Sequence, residues 1–287
     1  MSDNNVIIHI GLIKTGSTYL QNYIFPHLSK TIFINGHEDF TSQWQDQVLK
    51  NNEHILISDE NFSGKAWKKE NYYSRAIPIN SCPSVVFERN VKFLKQCFPK
   101  AKIFIFFRRH GDLVISMYRQ YIKNRGTLLL DDFYGKEKII HPSWLSYQKK
   151  IQILQKYFDD GTYFIDYTDF QKYGDQFIID FFQQEFDIQF NGKIDTPKRT
   201  NVGMKGRGLI WCRKMNKLYN KISLPEIVQK SLRLMKLDPA GLIQNRMPFI
   251  NNQDPKEFQE IKEEINEYFR NDWLYFQKNK YTYPITT

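Results

Sequence analysis

With 287 residues, 41% of them hydrophobic and 25% charged, the chain has the makeup of a globular protein with one substantial core and room for a smaller helical lobe. Its formal net charge of +10 points to anionic partners, a nucleotide with several phosphates or an acidic glycan, whereas no zinc-finger spacing, RNP-like run or Arg-rich tract supports nucleic acid. No run approaches the roughly 18 apolar residues of a membrane span, the leading MSDNN lacks the basic and apolar regions of a signal peptide, and Cys82, Cys97 and Cys212 form neither a zinc pattern nor a disulfide framework, so a cytoplasmic protein with packed free thiols is expected.

The first element is an apolar run, Val6 to Ile10, expected as a buried central strand. A turn bracketed by Gly11 and Gly16 follows, and a helix is expected from Ser17-Thr18, carrying Tyr19, Leu20, Tyr23 and Ile24 inward. A strand that feeds a helix N-terminus through such a turn aims free N–H groups and the positive end of the helix dipole at one point. Lys14, Thr15, Ser17 and Thr18 add an ammonium and hydroxyls there, so an anion of phosphate or sulfate type is expected. Ile55 to Ser58 is a second strand, ending in Asp59-Glu60-Asn61. Val85 to Gln96 is read as a helix with Phe87, Val91 and Leu94 on one side. Ile103 to Phe107 is another buried strand, leading through Arg108-Arg109-His110-Gly111-Asp112 into a helix. Trp144 to Phe158 is expected as an amphipathic helix and Thr162 to Tyr167 as a strand, followed by a helix through Phe177, Ile178, Phe181 and Phe182. Lys193 to Gly208 reads as a polar loop, Gly208 to Asn252 as basic and helical, and Asp254 to Lys278 as a final helix with one break. Alternating strands and helices imply parallel crossovers and a three-layer α/β core over about residues 1–200, with a helical lid or substrate region over about 205–287.

The spacing of Gly11 and Gly16 is that of a Walker A loop, but Ser17 stands where that loop has its lysine, and the lysine lies within the loop, at Lys14. His9 to Gln21 (HIGLIKTGSTYLQ) resembles instead the 5′-phosphosulfate loop of sulfotransferases that use PAPS (3′-phosphoadenosine 5′-phosphosulfate), bacterial carbohydrate-type members in particular. Arg108, Asp112 and Ser116 have the spacing of that family's 3′-phosphate segment, although Arg109-His110 replaces its usual Asn-Pro and leaves Arg108 and Arg109 both open as the phosphate ligand. The step from Thr162-Tyr167 to Thr168-Asp169-Phe170 and the closing Asn271 to Gln277 are similar to family features in architecture. The resemblance implies a single P-loop-like domain with a central parallel sheet. It also implies transfer of a sulfuryl group from PAPS to a hydroxyl, or an amine, of a carbohydrate or small natural product, with PAP (3′-phosphoadenosine 5′-phosphate) as product and no catalytic metal.

On that reading Lys14 stabilises the oxygen that leaves with the nucleotide, and Thr15, Gly16, Ser17 and Thr18 bind its 5′-phosphate. Arg108 and Ser116 serve the 3′-phosphate, and the late basic loop adds Asn201 and Lys205, with Gly203 and Arg207 as further contacts. Glu60 is the candidate general base, with Asp59 as a neighbouring possibility and a solvated loop carboxylate or a partner of Lys65 as the alternatives. His9 reads as structural, His110 as part of the nucleotide site, and His141 has no special claim. Two other functions stay open: a small-metabolite kinase, which requires Mg²⁺-dependent ATP binding, and a non-catalytic nucleotide- or glycan-binding protein, which binds without turnover. Oligomeric state is not readable.

Overall fold

The computed structural model describes residues 5–36, 54–64, 83–135, 138–192, 204, 206–222, 225–246 and 254–283. Five strands, β1 (Val6–Ile10), β2 (Thr31–Asn35), β3 (His54–Asp59), β4 (Lys102–Phe107) and β5 (Thr162–Asp166), form one sheet in the order β2-β3-β1-β4-β5. Every pairing is parallel, with Ile8 opposite both Ile57 and Ile103. Parallel strands are covered on both faces, and their side chains alternate between two cores. Val6, Ile8 and Ile10 of β1 and Ile103, Ile105 and Phe107 of β4 enter one core, whereas Ile7, Phe104 and Phe106 enter the other. The three-layer α/β architecture therefore follows from runs of β-branched and aromatic residues too apolar to leave either face wet.

Helices α2 (Pro83–Cys97), α3 (His110–Lys123), a single turn α4 (Leu130–Phe133) and α5 (Tyr147–Phe158) lie on the first face. Phe87, Val91 and Leu94 of α2 are buried there as expected. The chain around α1 (Ser17–Tyr19), with α6 (Tyr167–Tyr173) and α7 (Asp175–Phe186), covers the second through Leu20, Ile24, Phe170, Phe177, Phe181 and Phe182. The C-terminal helices are α8 (Gly206–Lys221), α9 (Glu226–Leu234), α10 (Pro239–Arg246), α11 (Lys256–Tyr268) and α12 (Arg270–Asn279). Their Leu209, Cys212, Ile243, Phe258, Ile265 and Phe276 are buried in the same core as β1 and β4.

Several boundaries differ from the sequence expectation. The helix after the first turn is α-helical only to Tyr19, widens to a π-helix over Leu20–Ile24 and tightens to a 3₁₀ turn over Phe25–His27. That change of winding keeps Leu20 and Ile24 buried but turns Tyr23 outward, 39% exposed. β2 is a half-buried edge strand that weak alternation hides in the sequence. Trp144 belongs to a 3₁₀ turn, and α5 starts after Ser146, whose hydroxyl caps it. Tyr167 opens α6 rather than closing β5, because the Asp166 carboxylate accepts the Thr168 N–H at 2.8 Å and caps the helix. Gly206 to Gly208 is the first turn of α8 rather than loop. The final helix breaks at Phe269, as expected.

Candidate functional site

The order of the strands reverses around β1, which lies between β3 and β4, so the loops after β1, β3 and β4 open at one carboxyl edge. In the loop after β1, Lys14 (φ 65°) and Gly16 (φ 88°) both take left-handed backbone conformations. For lysine this costs on the order of 1–2 kcal/mol, and such strain gathers where a backbone must serve a ligand. Alternating hand through Lys14, Thr15 and Gly16 turns successive N–H groups into one concavity. Thr15 holds the loop closed and is fully buried: its hydroxyl and its N–H both bond the Leu12 carbonyl, at 2.6 and 3.3 Å. Among the described residues nothing accepts from the N–H groups of Gly16, Ser17 or Thr18. Ser17 Oγ is buried, has no hydrogen-bond partner of good geometry and lies beside the Glu60 carboxylate. Open N–H groups and an unspent hydroxyl around a backbone concavity fit a phosphate or sulfate oxygen.

Gly11 fixes the approach of β3 to this loop. A Cβ there would come within 2.8 Å of Glu60 Cγ and 3.0 Å of Ser17 Oγ. Glu60 opens a 3₁₀ turn (Glu60–Ser63) pinned from two sides. The Asp59 carboxylate accepts the Asn61 N–H at 2.7 Å, and Asn90 Nδ2 donates to the Asn61 and Phe62 carbonyls at 3.2 and 3.3 Å. Asp59 Oδ1 is committed to this cap, accepting from the Asn61 N–H and Nδ2, and Glu60 is the carboxylate that meets Lys14 and Ser17. Burial pushes the Glu60 carboxyl above its usual range, while the Lys14 ammonium and the Ser17 hydroxyl pull it back. Burial likewise lowers the Lys14 ammonium, and Glu60 opposes that shift. Each of the two groups thus sustains the charge of the other. A cavity of about 320 Å³, lined by Asp59, Asn61, Phe62, Arg89, Asn90 and Phe93, opens beside this turn.

Arg108 reaches back from the end of β4 and donates to the Lys14 carbonyl at 3.1 Å, with its guanidinium 5.1 Å from the centre of the Tyr167 ring. Arg109 is exposed. Lys14 Nζ donates to Gln120 Oε1 at 2.8 Å, which brings α3 to the loop. Ser116 is half-buried one helical turn before Gln120, on the same side of α3. Lys14, Gly16, Ser17, Thr18, Glu60, Arg108 and Ser116 therefore share one region, and Thr15 is its brace. Asn201 and Lys205 lie outside the described residues, as do Gly203 and Lys65. Gln120 and Tyr167 were not anticipated. Gln120 sits four residues beyond Ser116, the one signal in the sequence that could have found it.

Two histidines, His110 and His9, serve the fold. His110 is not part of an anion site: it is buried, stacked on Tyr147 and Phe269 at 4.1 and 4.4 Å between ring centroids, and its Nε2 lies 3.0 Å from Asp272 Oδ2. Burial holds it below the usual imidazole range despite that carboxylate, so a neutral ring donates to Asp272. The N-terminus of α3 is closed as well. Asn266 of α11 accepts the Gly111 N–H at 2.9 Å, and Lys262 takes Asp112 at 2.7 Å. His9 lies wholly inside the sheet, 2.7 Å from Ser58 Oγ, its pKa lowered to about 3 by burial.

No protein-family model and no curated protein matches the chain. Two solved structures are similar to it at 14% identity: a sulfotransferase from Alicyclobacillus acidocaldarius, with a TM-score of 0.45 over 90% of this chain and 100% of that one, and mouse sulfotransferase SULT7A1 complexed with PAP, with a TM-score of 0.42 over 96% and 89%.

Proposed function

We propose that the chain transfers a sulfuryl group from PAPS to a hydroxyl, or an amine, of a carbohydrate or small natural product. The observation that carries this reading is the meeting of an open anion-binding loop with a half-buried ammonium and a half-buried carboxylate, Lys14 and Glu60, at its mouth. In-line transfer needs three things: a held leaving phosphate, a charge to meet the electrons it takes away, and a base for the attacking hydroxyl. The Gly16 to Thr18 N–H groups and the Ser17 hydroxyl are suited to the first. Lys14 supplies the second. Glu60 supplies the third, because a carboxyl raised by burial is a stronger base than one in water, and the cavity beside it seats the acceptor. As the acceptor oxygen bonds sulfur, its proton passes to Glu60 and the bond from sulfur to the phosphate oxygen breaks. Arg108 and Ser116 take the 3′-phosphate, which ATP lacks because its ribose carries a free hydroxyl at that position.

The kinase reading is disfavoured at one residue. A Walker loop places an ammonium on the β- and γ-phosphates, and here that position is the buried hydroxyl of Ser17. Calorimetric titration with PAP and with ATP-Mg²⁺ tests the proposal. PAP is expected to bind at least tenfold more tightly, and Arg108→Ala to lose tenfold to a hundredfold of that affinity, about 1.4–2.8 kcal/mol, the range of a charge-assisted bidentate contact. Equal or tighter ATP binding, or no PAP binding, would overturn it.

A further inference from the structure

Helices α8 and α9 carry a surface that the site does not use. The inner side of α8, through Gly206, Leu209, Cys212 and Asn216, is buried against the core. Its outer side presents Trp211 (52% exposed), Leu218 (63%) and Ile222 (63%), just beyond the helix end, at helical spacing, with Lys214, Lys217 and Lys221 exposed among them. The next helix continues the pattern, with Ile227 and Leu234 almost fully exposed at 79% and 84% and Met235 at 59%. Between Gly206 and Leu237 the sequence holds eight lysines and arginines against one carboxylate, Glu226. A solvated face has no need of Trp, Leu and Ile at such exposure, and large apolar side chains held out among cations mark a contact surface.

We propose that the outer face of α8 and α9 docks on an anionic lipid surface. Interleaved cations and large apolar side chains on the same face match a bilayer boundary, where ammonium groups meet phosphate headgroups while the apolar side chains enter the acyl edge. Trp211 is the residue type that favours that depth. A second copy of this chain would bring the same excess of positive charge against itself, which opposes self-association through this face. Nucleic acid would engage the lysines and leave Ile227 and Leu234 in water.

Co-sedimentation of the full chain with vesicles tests this. Vesicles of equal phosphatidylglycerol and phosphatidylcholine are expected to take up the protein at 0.1 M salt, and pure phosphatidylcholine to take up at least tenfold less. The triple variant Lys214→Glu, Lys217→Glu, Lys221→Glu and the variant Trp211→Ser, Leu218→Ser should each lose tenfold. A charge-matched control, Lys92→Glu, Lys95→Glu, Lys100→Glu on α2 and the turn after it, should bind as the wild type does. Vesicles should also shift tryptophan emission to the blue in the wild type but not in Trp211→Phe, which leaves the fold and the charge intact. The proposal is overturned by absent vesicle binding, by equal loss in the control variant (general adhesion of a basic protein), or by a Trp211 signal that answers to a short DNA duplex and not to vesicles.

Discussion

Two strand–turn–helix units stand side by side at the carboxyl edge of the sheet, and they differ in what they leave unfinished. After β1 the backbone is strained at Lys14, three N–H groups are unspent and a buried hydroxyl lacks a good partner. After β4 nearly everything is spent. Asp272 alone accepts from His110 Nε2 at 3.0 Å, Ser146 Oγ at 3.1 Å, and the Tyr147 and Gln148 N–H groups at 2.8 and 3.0 Å. Tyr147 then donates to the Arg108 carbonyl at 2.5 Å, so this closed network sets the base from which Arg108 reaches across. A ligand site needs open valences, and a rigid neighbour needs closed ones. The first unit supplies the former and the second the latter.

The largest expected effect falls on the closed unit. Asp272→Ala leaves two backbone N–H groups and a serine hydroxyl without their acceptor and reduces the buried imidazole to the Leu145 carbonyl at 3.1 Å, and should cost about 4 kcal/mol of stability in urea unfolding. PAP affinity of the molecules that remain folded should change less than threefold. A tenfold loss of affinity would mean that the Asp272 network itself, and not only Arg108 and Ser116 beside it, holds the ligand, and the contrast would break.

The open unit should respond in the opposite sense. Lys14→Gly removes the ammonium and relieves the left-handed strain, so PAPS turnover to PAP should fall by about a hundredfold to a thousandfold. Stability should hold or rise by roughly 0.5–1 kcal/mol. Lys14→Ala should lose as much turnover with no gain in stability, since alanine keeps the Cβ that the conformation penalises. A Lys14→Gly protein less stable than Lys14→Ala would show that the strain is not there to be relieved.

The two units also explain what the sequence could and could not disclose. β1, β3 and β4 were legible because buried parallel strands must be continuous apolar runs, and Lys14, Ser17, Glu60 and Arg108 were legible because they follow the strand ends directly. Gln120 and Tyr167 reach the site through tertiary contacts that no local pattern records. His110 departs from its motif position for the same reason: a polar residue there looks like a ligand until Tyr147 and Phe269 close over it. α8 starts earlier than its sequence suggests, because Gly206 and Gly208 are poor helix formers, yet both are buried by packing. The π-helical stretch after α1 has no signature in single-residue preferences at all.

The smallest effect separates the units by pH. Both contain a buried neutral histidine, and burial lowers both, but only His110 has a carboxylate pulling the other way. For His9, with a pKa of about 3 in the fold against 6.5 unfolded, the unfolded chain takes up the proton first as pH falls. Its contribution is therefore complete above pH 6.5 and is lost progressively toward pH 3, at up to about 1.4 kcal/mol per pH unit. His9→Gln should be less stable than the wild type at pH 8, where stacking on Phe104 at 4.8 Å is lost, and should lose stability less steeply below pH 6. His110→Gln should flatten the same profile less, because Asp272 already offsets part of the cost of protonation. Urea unfolding of the three proteins between pH 5 and 8 decides it. Equal flattening would mean that the Asp272 contact gives His110 no relief, and that the two sites differ in partners but not in electrostatics.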